Sequence, residues 1–282
     1  MFLKTTLFND DKDRVVMRSD NTHTYFFTDI VYHLNKFGAN IKTLSDSFPN
    51  SYKKFVNRKF DKVIDIFGAD HYSEANQLKT MMEYFKSKQV IDLHSNLDIL
   101  LMQFLTLQGG EKMSKRKGNF NTLEDFVNTA SLDAANFFIL ERSIDKHLIF
   151  DMNLAKEQSE KNPVFYTQYA YARICSILKK NFFKFNIYKN LDILQEPEEI
   201  KLMKLIIKLP DLIEEVSNNY QIHLLTSYLI ELSKTFHAFY TNHNILKSNF
   251  KLKQARLNLI KSVKTAFEIC FNLINIKPKQ KM

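Results

Sequence analysis

The sequence predicts an α/β layer followed by an all-helical part. Three observations carry this. The run Lys62-Val63-Ile64-Asp65-Ile66-Phe67 is β-branched and ends at Gly68, as a buried parallel strand does where it meets its loop. The five glycines fall at positions 38, 68, 109, 110 and 118. A long stretch with no glycine and few prolines reads as helix rather than many-turned β structure. Finally, apolar residues in that stretch recur at helical spacing.

Taken in order, Tyr25 and Asp29 in Thr24-Tyr25-Phe26-Phe27-Thr28-Asp29-Ile30 share one face if that segment is helical. After the strand at 62–67, Asn76 to Lys86 reads as a helix. Ile99 to Leu105 is a second apolar run whose periodicity does not choose between helix and strand, and Gly109-Gly110 breaks it. The segment Met152 to Asn181 is helical in pattern but holds Pro163, so a kink or break is expected there. Pro197 suits the first turn of a further helix, and Pro210 is expected to interrupt it. Leu224, Leu225, Tyr228, Leu229, Leu232, Phe236, Phe239 and Tyr240 trace one helical face. Leu257, Ile260, Val263, Phe267, Cys270 and Ile274 trace another. The α/β part is expected over 1–145 and the helical part over 146–282. No Ser/Gly linker separates them, so a shared interface is expected.

Composition excludes several classes. With 25 Phe and 12 Tyr among 282 residues the chain is not disordered, and 5 Gly with 5 Pro exclude collagen-like sequence. Two cysteines cannot form a disulfide scaffold. Cys175 and Cys270 both sit in apolar helical patterns and are expected as buried free thiols. No apolar run is long enough to span a bilayer, and the first residues lack the apolar core of a signal peptide. A cytoplasmic protein without a membrane partner is expected. Lys+Arg number 40 against 31 Asp+Glu, a net charge of +9. That favours polyanion partners through counterion release, although a lysine-rich solvated surface produces the same sum.

Four motifs carry chemistry. Lys112-Met113-Ser114-Lys115-Arg116-Lys117 stands between glycines. Such a loop can hold polyphosphate charge while an α-phosphate is attacked. Charge alone equally describes a solvated surface loop. Gly68-Ala69-Asp70-His71 lies at the carboxyl end of the strand, where ligands bind in open α/β sheets. Its plain reading is a turn with Asp70 as a helix cap. Tyr25 with Asp29 could hold a cationic group by ring and carboxylate, or belong to an ordinary amphipathic helix. In Asn162-Pro163-Val164-Phe165-Tyr166-Thr167-Gln168-Tyr169-Ala170-Tyr171-Ala172-Arg173, rings alternate with polar groups. Unpaired RNA bases stack on such rings, and a core helix with inward tyrosines gives the same pattern.

The order of these residues is more specific than their chemistry. The Lys112–Arg116 loop resembles the KMSKS loop of class I aminoacyl-tRNA synthetases. DDKDRVVMRSD (10–20), TYFFTDIVYH (24–33), FDKVIDIFGADH (60–71), GGEKMSKRKGN (109–119), the run 150–180 and ARLNLIK (255–261) together resemble the arginyl-tRNA synthetase family from about Thr5 onward. The resemblance implies the second half of a Rossmann-type class I catalytic domain, then a helical-bundle anticodon-binding domain. It implies ATP-dependent ligation of arginine to tRNA(Arg), with Mg²⁺ carried by ATP and no protein-held metal. Tyr25 and Asp29 would contact arginine. Gly68, Asp70, His71 and Met113 would lie beside ATP. Lys115, supported by Lys112 and Ser114, would steady phosphate charge. Tyr169, Tyr240 and Met282 would face the anticodon.

Three departures accompany the resemblance. No HIGH signature occurs in the chain. The reading is therefore a synthetase half, inactive alone, awaiting a complementary N-terminal half, or else a tRNA-binding module or remnant without catalysis. Gly38 to Arg58 reads as a polar surface excursion longer than the family's connection. Asn136 stands where the family usually has arginine, a loss expected to weaken the interface between the two parts.

Overall fold

The computed structural model describes residues 1–8, 10–39, 59–107, 123–180 and 191–282. The Lys112–Lys117 loop and most of the 38–58 excursion lie outside the described residues. The chain divides by packing into two compact units, Met1–Phe104 and Leu105–Met282.

The first unit is an α/β layer. A short antiparallel pair, β1 (Phe2–Leu3) and β2 (Arg14–Val15), precedes helix α1 (Tyr25–Lys36). The Thr24 side chain caps α1 by accepting from the Phe27 N–H at 3.4 Å. Strand β3 (Lys62–Gly68), helix α2 (Tyr72–Ser87) and strand β4 (Asn96–Met102) form a βαβ unit. The strands are parallel, from Lys62↔Asn96 to Gly68↔Met102. The ambiguous run at 99–105 is thus mostly strand. Ile30, Leu34 and Phe37 meet Val63, Leu97, Leu78, Met81 and Met82 in one core. Each such burial contributes roughly 1.5–3 kcal/mol before entropy is counted.

The strand is parallel but not buried on both faces, contrary to expectation. Val63, Asp65 and Phe67 turn towards the helices, whereas Ile64 and Ile66 on the other face are 48% and 62% exposed. Both helices of this core lie on one side, and among the described residues β3 pairs with β4 alone. A parallel sheet normally has both faces covered.

In the second unit, β5 (Leu105–Leu107) pairs parallel with β6 (Leu148–Phe150). Helices α3 (Leu123–Ala130), α4 (Leu132–Leu140) and α5 (Met152–Lys156) lead into a four-helix bundle. Its members are α6 (Pro163–Lys179), α7 (Pro197–Asn219), α8 (His223–Asn242) and α9 (Phe250–Leu273). The expected break at Pro163 is real: α5 ends, and Pro163 opens α6 behind the N-cap Asn162. Pro197 opens α7 as expected, with a reciprocal Glu196–Glu199 capping box.

Pro210 does not end α7. It stands on an exposed position, so the carbonyl it frees can turn to water. Leu202, Leu205, Leu209, Leu212 and Val216 hold both halves of the helix in the bundle core. Both predicted apolar faces are found: Leu225, Leu229, Leu232 and Phe236 of α8 are buried with Ile260, Val263, Phe267 and Cys270 of α9. Cys270 is a buried free thiol as expected, but Cys175 is only half-buried. Among the described residues no helix is long and apolar enough to cross a membrane.

Candidate functional site

In the first unit, α1 and β3 are tied by one cluster. The His33 ring is buried, with Nδ1 2.7 Å from the Asp29 carbonyl oxygen and Nε2 2.5 Å from Asp65 Oδ2 on β3. Lys36 Nζ donates to Asp65 Oδ1 at 3.4 Å and lies 4.3 Å over the Tyr32 ring. Hydrogen bonding to His33, with the charges of His33 and Lys36, outweighs desolvation and holds the Asp65 carboxyl below its ordinary pKa.

Asp29, one turn before His33, shows the reverse. Desolvation first, and the Asp65 charge beside it, push its carboxyl above the ordinary range against the pull of His33 and Lys36. The residue as a whole is nevertheless exposed, so the shift reflects local crowding of one carboxyl group. Tyr25 opens α1 and is 86% exposed. The two residues share the helix as expected, one ring in solvent and one carboxyl whose charge lacks full solvation.

Three residues beyond Asp65, β3 ends at Gly68. A Cβ there would stand 2.5 Å from Asp70 Oδ1, so glycine is what allows the Asp70 carboxylate to fold back over the strand end. Asp70 and His71 are both exposed, 3.9 Å apart, in a single 3-10 turn. Asp70 does not cap α2: the N-cap position is His71, without a side-chain cap. Its carboxylate stays available at the carboxyl end of the strand. The Met113, Lys112, Ser114 and Lys115 expectations lie outside the described residues.

In the second unit the aromatic segment 162–173 resolves ring by ring. Tyr171 is core: it is fully buried, edge-on to Phe271 at 6.0 Å, and its hydroxyl donates to Glu268 at 2.8 Å. Tyr169 is not core. It stacks on Phe165 one turn earlier (6.2 Å, 5° between planes) and on His237 of α8 (5.7 Å, 21°). Arg173 donates to the Tyr169 hydroxyl and lies 5.3 Å over its ring and 4.9 Å over that of Tyr240. The structure thus joins Tyr169 and Tyr240 through one guanidinium.

Tyr169 and Phe165 line a concave volume of about 630 Å³ together with Gln168, Lys279, Lys281 and Met282. A neighbouring cavity of about 410 Å³ is lined by Arg173, Lys180, Tyr240 and His243. Of the three residues predicted to face an anticodon, Tyr169 and Met282 share the first groove and Tyr240 lines the second. The basic excess lies here as well. Residues 105–282 hold 26 Lys+Arg against 18 Asp+Glu, whereas residues 1–104 hold 14 against 13.

Several groups at these sites escaped the sequence reading. Phe165 and His237 complete the stacking platform. Asp133 and Gln168 fix the closing segment, with Gln168 Nε2 donating to Asp133 at 2.9 Å and to the Lys277 carbonyl at 3.1 Å. His33 and Asp65 could have been suspected from one signal, a lone carboxylate inside the apolar run 62–67. Asn136 is not idle: it donates to the Asn275 carbonyl at 2.9 Å, a contact inside the second unit. Among the described residues no group of three or more His, Cys, Asp or Glu could hold a metal ion.

With this geometry in view, the class of fold is plain. The chain superposes over 96% of its length on Mycobacterium tuberculosis methionyl-tRNA synthetase, covering 54% of that chain, with a TM-score of 0.62 at 14% identity, a likeness of fold alone. Residues 167–282 match the DALR anticodon binding domain family. The nearer relationship is to the arginine enzymes of that class. All of the chain aligns at 37% identity with the arginine–tRNA ligases of Desulforamulus reducens and Aquifex aeolicus, covering 47% and 46% of their lengths. A Campylobacter jejuni structure assigned as an arginyl-tRNA synthetase matches all of the chain and 57% of its own, with TM-score 0.75 and 28% identity. The chain is therefore similar along its whole length to arginine–tRNA ligases, and spans about half the length of the curated relatives it matches.

Proposed function

We propose that this chain serves ATP-dependent ligation of arginine to tRNA(Arg), supplying the KMSKS-bearing part of the catalytic domain and the anticodon-binding domain. The observation that carries the reading is the joining of Tyr169, Arg173, Tyr240 and Met282 at basic, aromatic grooves in a chain related throughout to arginine–tRNA ligases. In this reading residues 1–145 serve catalysis and 146–282 tRNA recognition. Rings stack on unpaired bases, and cations hold phosphates.

At the catalytic part, Asp29 and Tyr25 receive the cationic ends of arginine. Burial holds the Asp29 carboxyl above its ordinary pKa, and a guanidinium beside it would favour the ionised carboxylate, its proton passing to solvent. Gly68, Asp70 and His71 lie beside ATP, which brings Mg²⁺ as part of the substrate. The arginine carboxylate attacks the α-phosphate, pyrophosphate leaves, and Lys115 with Lys112, Ser114 and Met113 steadies the phosphate charge. The arginyl group then passes to the 3′-terminal adenosine of the tRNA. The reaction is cytoplasmic.

The HIGH signature, whose histidines meet the ATP phosphates in this class, would come from further polypeptide equivalent to the N-terminal half of the relatives. The open face of β3, with Ile64 and Ile66 exposed, is suited to receive it. Without it the chain binds tRNA and does not activate arginine, which is also the expectation if the chain acts as a tRNA-binding module alone. The test is arginine- and tRNA-dependent pyrophosphate exchange on adding a HIGH-bearing half. Exchange that appears, and is lost in Lys115→Ala, supports the ligase reading. tRNA binding with no exchange favours the binding module, and exchange unchanged by Lys115→Ala overturns the role given to that loop.

A further inference from the structure

We propose that Lys279 to Met282 form a latched cationic finger, in which Lys279 and Lys281 hold the phosphates of an RNA loop whose bases stack at Tyr169. The proposal rests on the RNA-loop reading of that groove and adds to it two phosphate contacts and the device that positions them.

The finger is built by successive anchors. Helix α9 ends at Leu273 with Ile274 as its C-cap, and Asn275 takes the left-handed conformation at φ +53°. The Asn275 N–H donates to the Asn272 carbonyl at 3.2 Å and the Ile276 N–H to the Phe271 carbonyl at 2.8 Å. This pair is the Schellman arrangement, with Ile276 and Phe271 both buried beside it. The chain direction is thereby fixed on leaving the helix.

Lys277 is then held on both sides of its backbone. Its N–H donates to Asp133 Oδ1 at 3.1 Å, and its carbonyl accepts from Gln168 Nε2 at 3.1 Å. Gln168 Nε2 also donates to Asp133 Oδ2 at 2.9 Å, which closes the ring, and the Gln168 side chain is 2% exposed. Asn136, three residues after Asp133, holds the Asn275 carbonyl. A buried amide with these bonds has little freedom, because leaving its partners unsatisfied costs the full desolvation of each group. Pro278 follows and restricts φ. What projects beyond is Lys279-Gln280-Lys281-Met282, all exposed and without an acidic residue.

Two lysines on a pre-set segment lining the groove of Tyr169 and Phe165 match a stacked base with its flanking phosphates. Ordering is completed on folding, so RNA binding need not bear that entropy. Gln168 and Asp133 are positioning residues: they act through Lys277 and not on the RNA. Gln168 precedes Tyr169 in the chain, so one turn of α6 sets both the ring and the finger.

The experiment uses the full chain and a fluorescein-labelled stem–loop RNA with an arginine anticodon arm sequence. Its affinity is followed by anisotropy across a salt series. Each single-strand phosphate contact contributes about 0.7 to the slope of log affinity against log salt. The variant Lys279→Gln/Lys281→Gln is expected to flatten the slope by about 1.4. Lys204→Gln/Lys208→Gln, the same charge change on the exposed side of α7, is expected to leave it nearly unchanged. Gln168→Leu, or Asp133→Asn should that variant fold poorly, is expected to reproduce most of the loss. Combined with the lysine changes it should add little, because latch and lysines act as one unit. Binding by the wild type with an unaltered slope in the double lysine variant overturns the finger. An equal loss in the α7 pair, or full additivity with the latch variants, overturns it as well. No binding by the wild type at low salt overturns the RNA-loop reading underneath.

Discussion

Asp29 carries a carboxyl whose charge the fold disfavours. Its carboxyl sits above the ordinary range because desolvation and Asp65 disfavour its charge. The folded chain thus binds that proton more tightly than the unfolded chain, so this group adds stability as pH falls and withdraws it as pH rises. A guanidinium needs the ionised form. Under the proposed function, arginine affinity, measured by calorimetry in the presence of the complementary half, is therefore expected to fall as pH drops through the raised pKa of Asp29. Asp29→Asn should abolish that dependence and most of the binding while leaving the melting temperature unchanged or slightly raised. The two cysteines offer a second residue-scale check. Burial pushes the Cys270 thiol up to about 12, whereas Cys175 is half-buried. Brief alkylation of the native chain, read by mass spectrometry, is expected to label Cys175 well before Cys270.

At the scale of elements, the join between α5 and α6 rests on Asn162. Its Oδ1 caps α6 by accepting from Val164 and Phe165, and its Nδ2 donates to the carbonyls of Ala155 and Glu157. The side chain is almost fully buried. Asn162→Ala removes the cap and strands two carbonyls, so a loss of about 2 kcal/mol is expected in urea unfolding of the second unit. The α7–α9 contact rests on Arg256, which donates to the fully buried Glu199 at 2.7 Å and to Ser248 at 3.0 Å. Arg256→Met leaves a buried carboxylate without its cation and should cost about 3–5 kcal/mol. The double variant with Glu199→Gln should recover part of that loss.

At the scale of the whole molecule, the two units differ in how well they close. The bundle buries its apolar stripes in one continuous core. The α/β unit covers one face of a two-stranded sheet and leaves Ile64, Ile66, Met102 and Phe104 exposed. Local stability follows buried apolar contact. Limited proteolysis of the chain is therefore expected to degrade residues 1–104 first and to leave a resistant fragment within 105–282. Resistance of the entire chain would count against this account, and protection of the first unit by an added N-terminal half would support it.

Much of the fold was legible in the sequence because it follows local rules. Glycine placement, the 3.6-residue apolar repeat, Pro163 and Pro197 marked the helices, and the β-branched run ending at Gly68 marked the strand. These signals depend on backbone sterics and on one face of each element. Burial across the sheet was not legible, since Ile64 and Ile66 read as core residues whether or not anything covers them. Pro210 was misleading for the same reason: its effect depends on which side of α7 faces water. Of the candidate sites, Tyr25, Asp29, Asp70, Tyr169, Tyr240 and Met282 were proposed from residue order and the resemblance it carries. Only the tertiary structure decided that Tyr171 is core while Tyr169 is platform, that Arg173 joins two rings, and that Asp133, Gln168 and Lys277 close a latch. Those partners stand 35 and 109 residues from Gln168. The sequence therefore determined the elements and the chemistry each can offer. The packing of distant segments determined which of those groups meet, because hydrogen bonds and ring contacts depend on distance in space and not on separation along the chain.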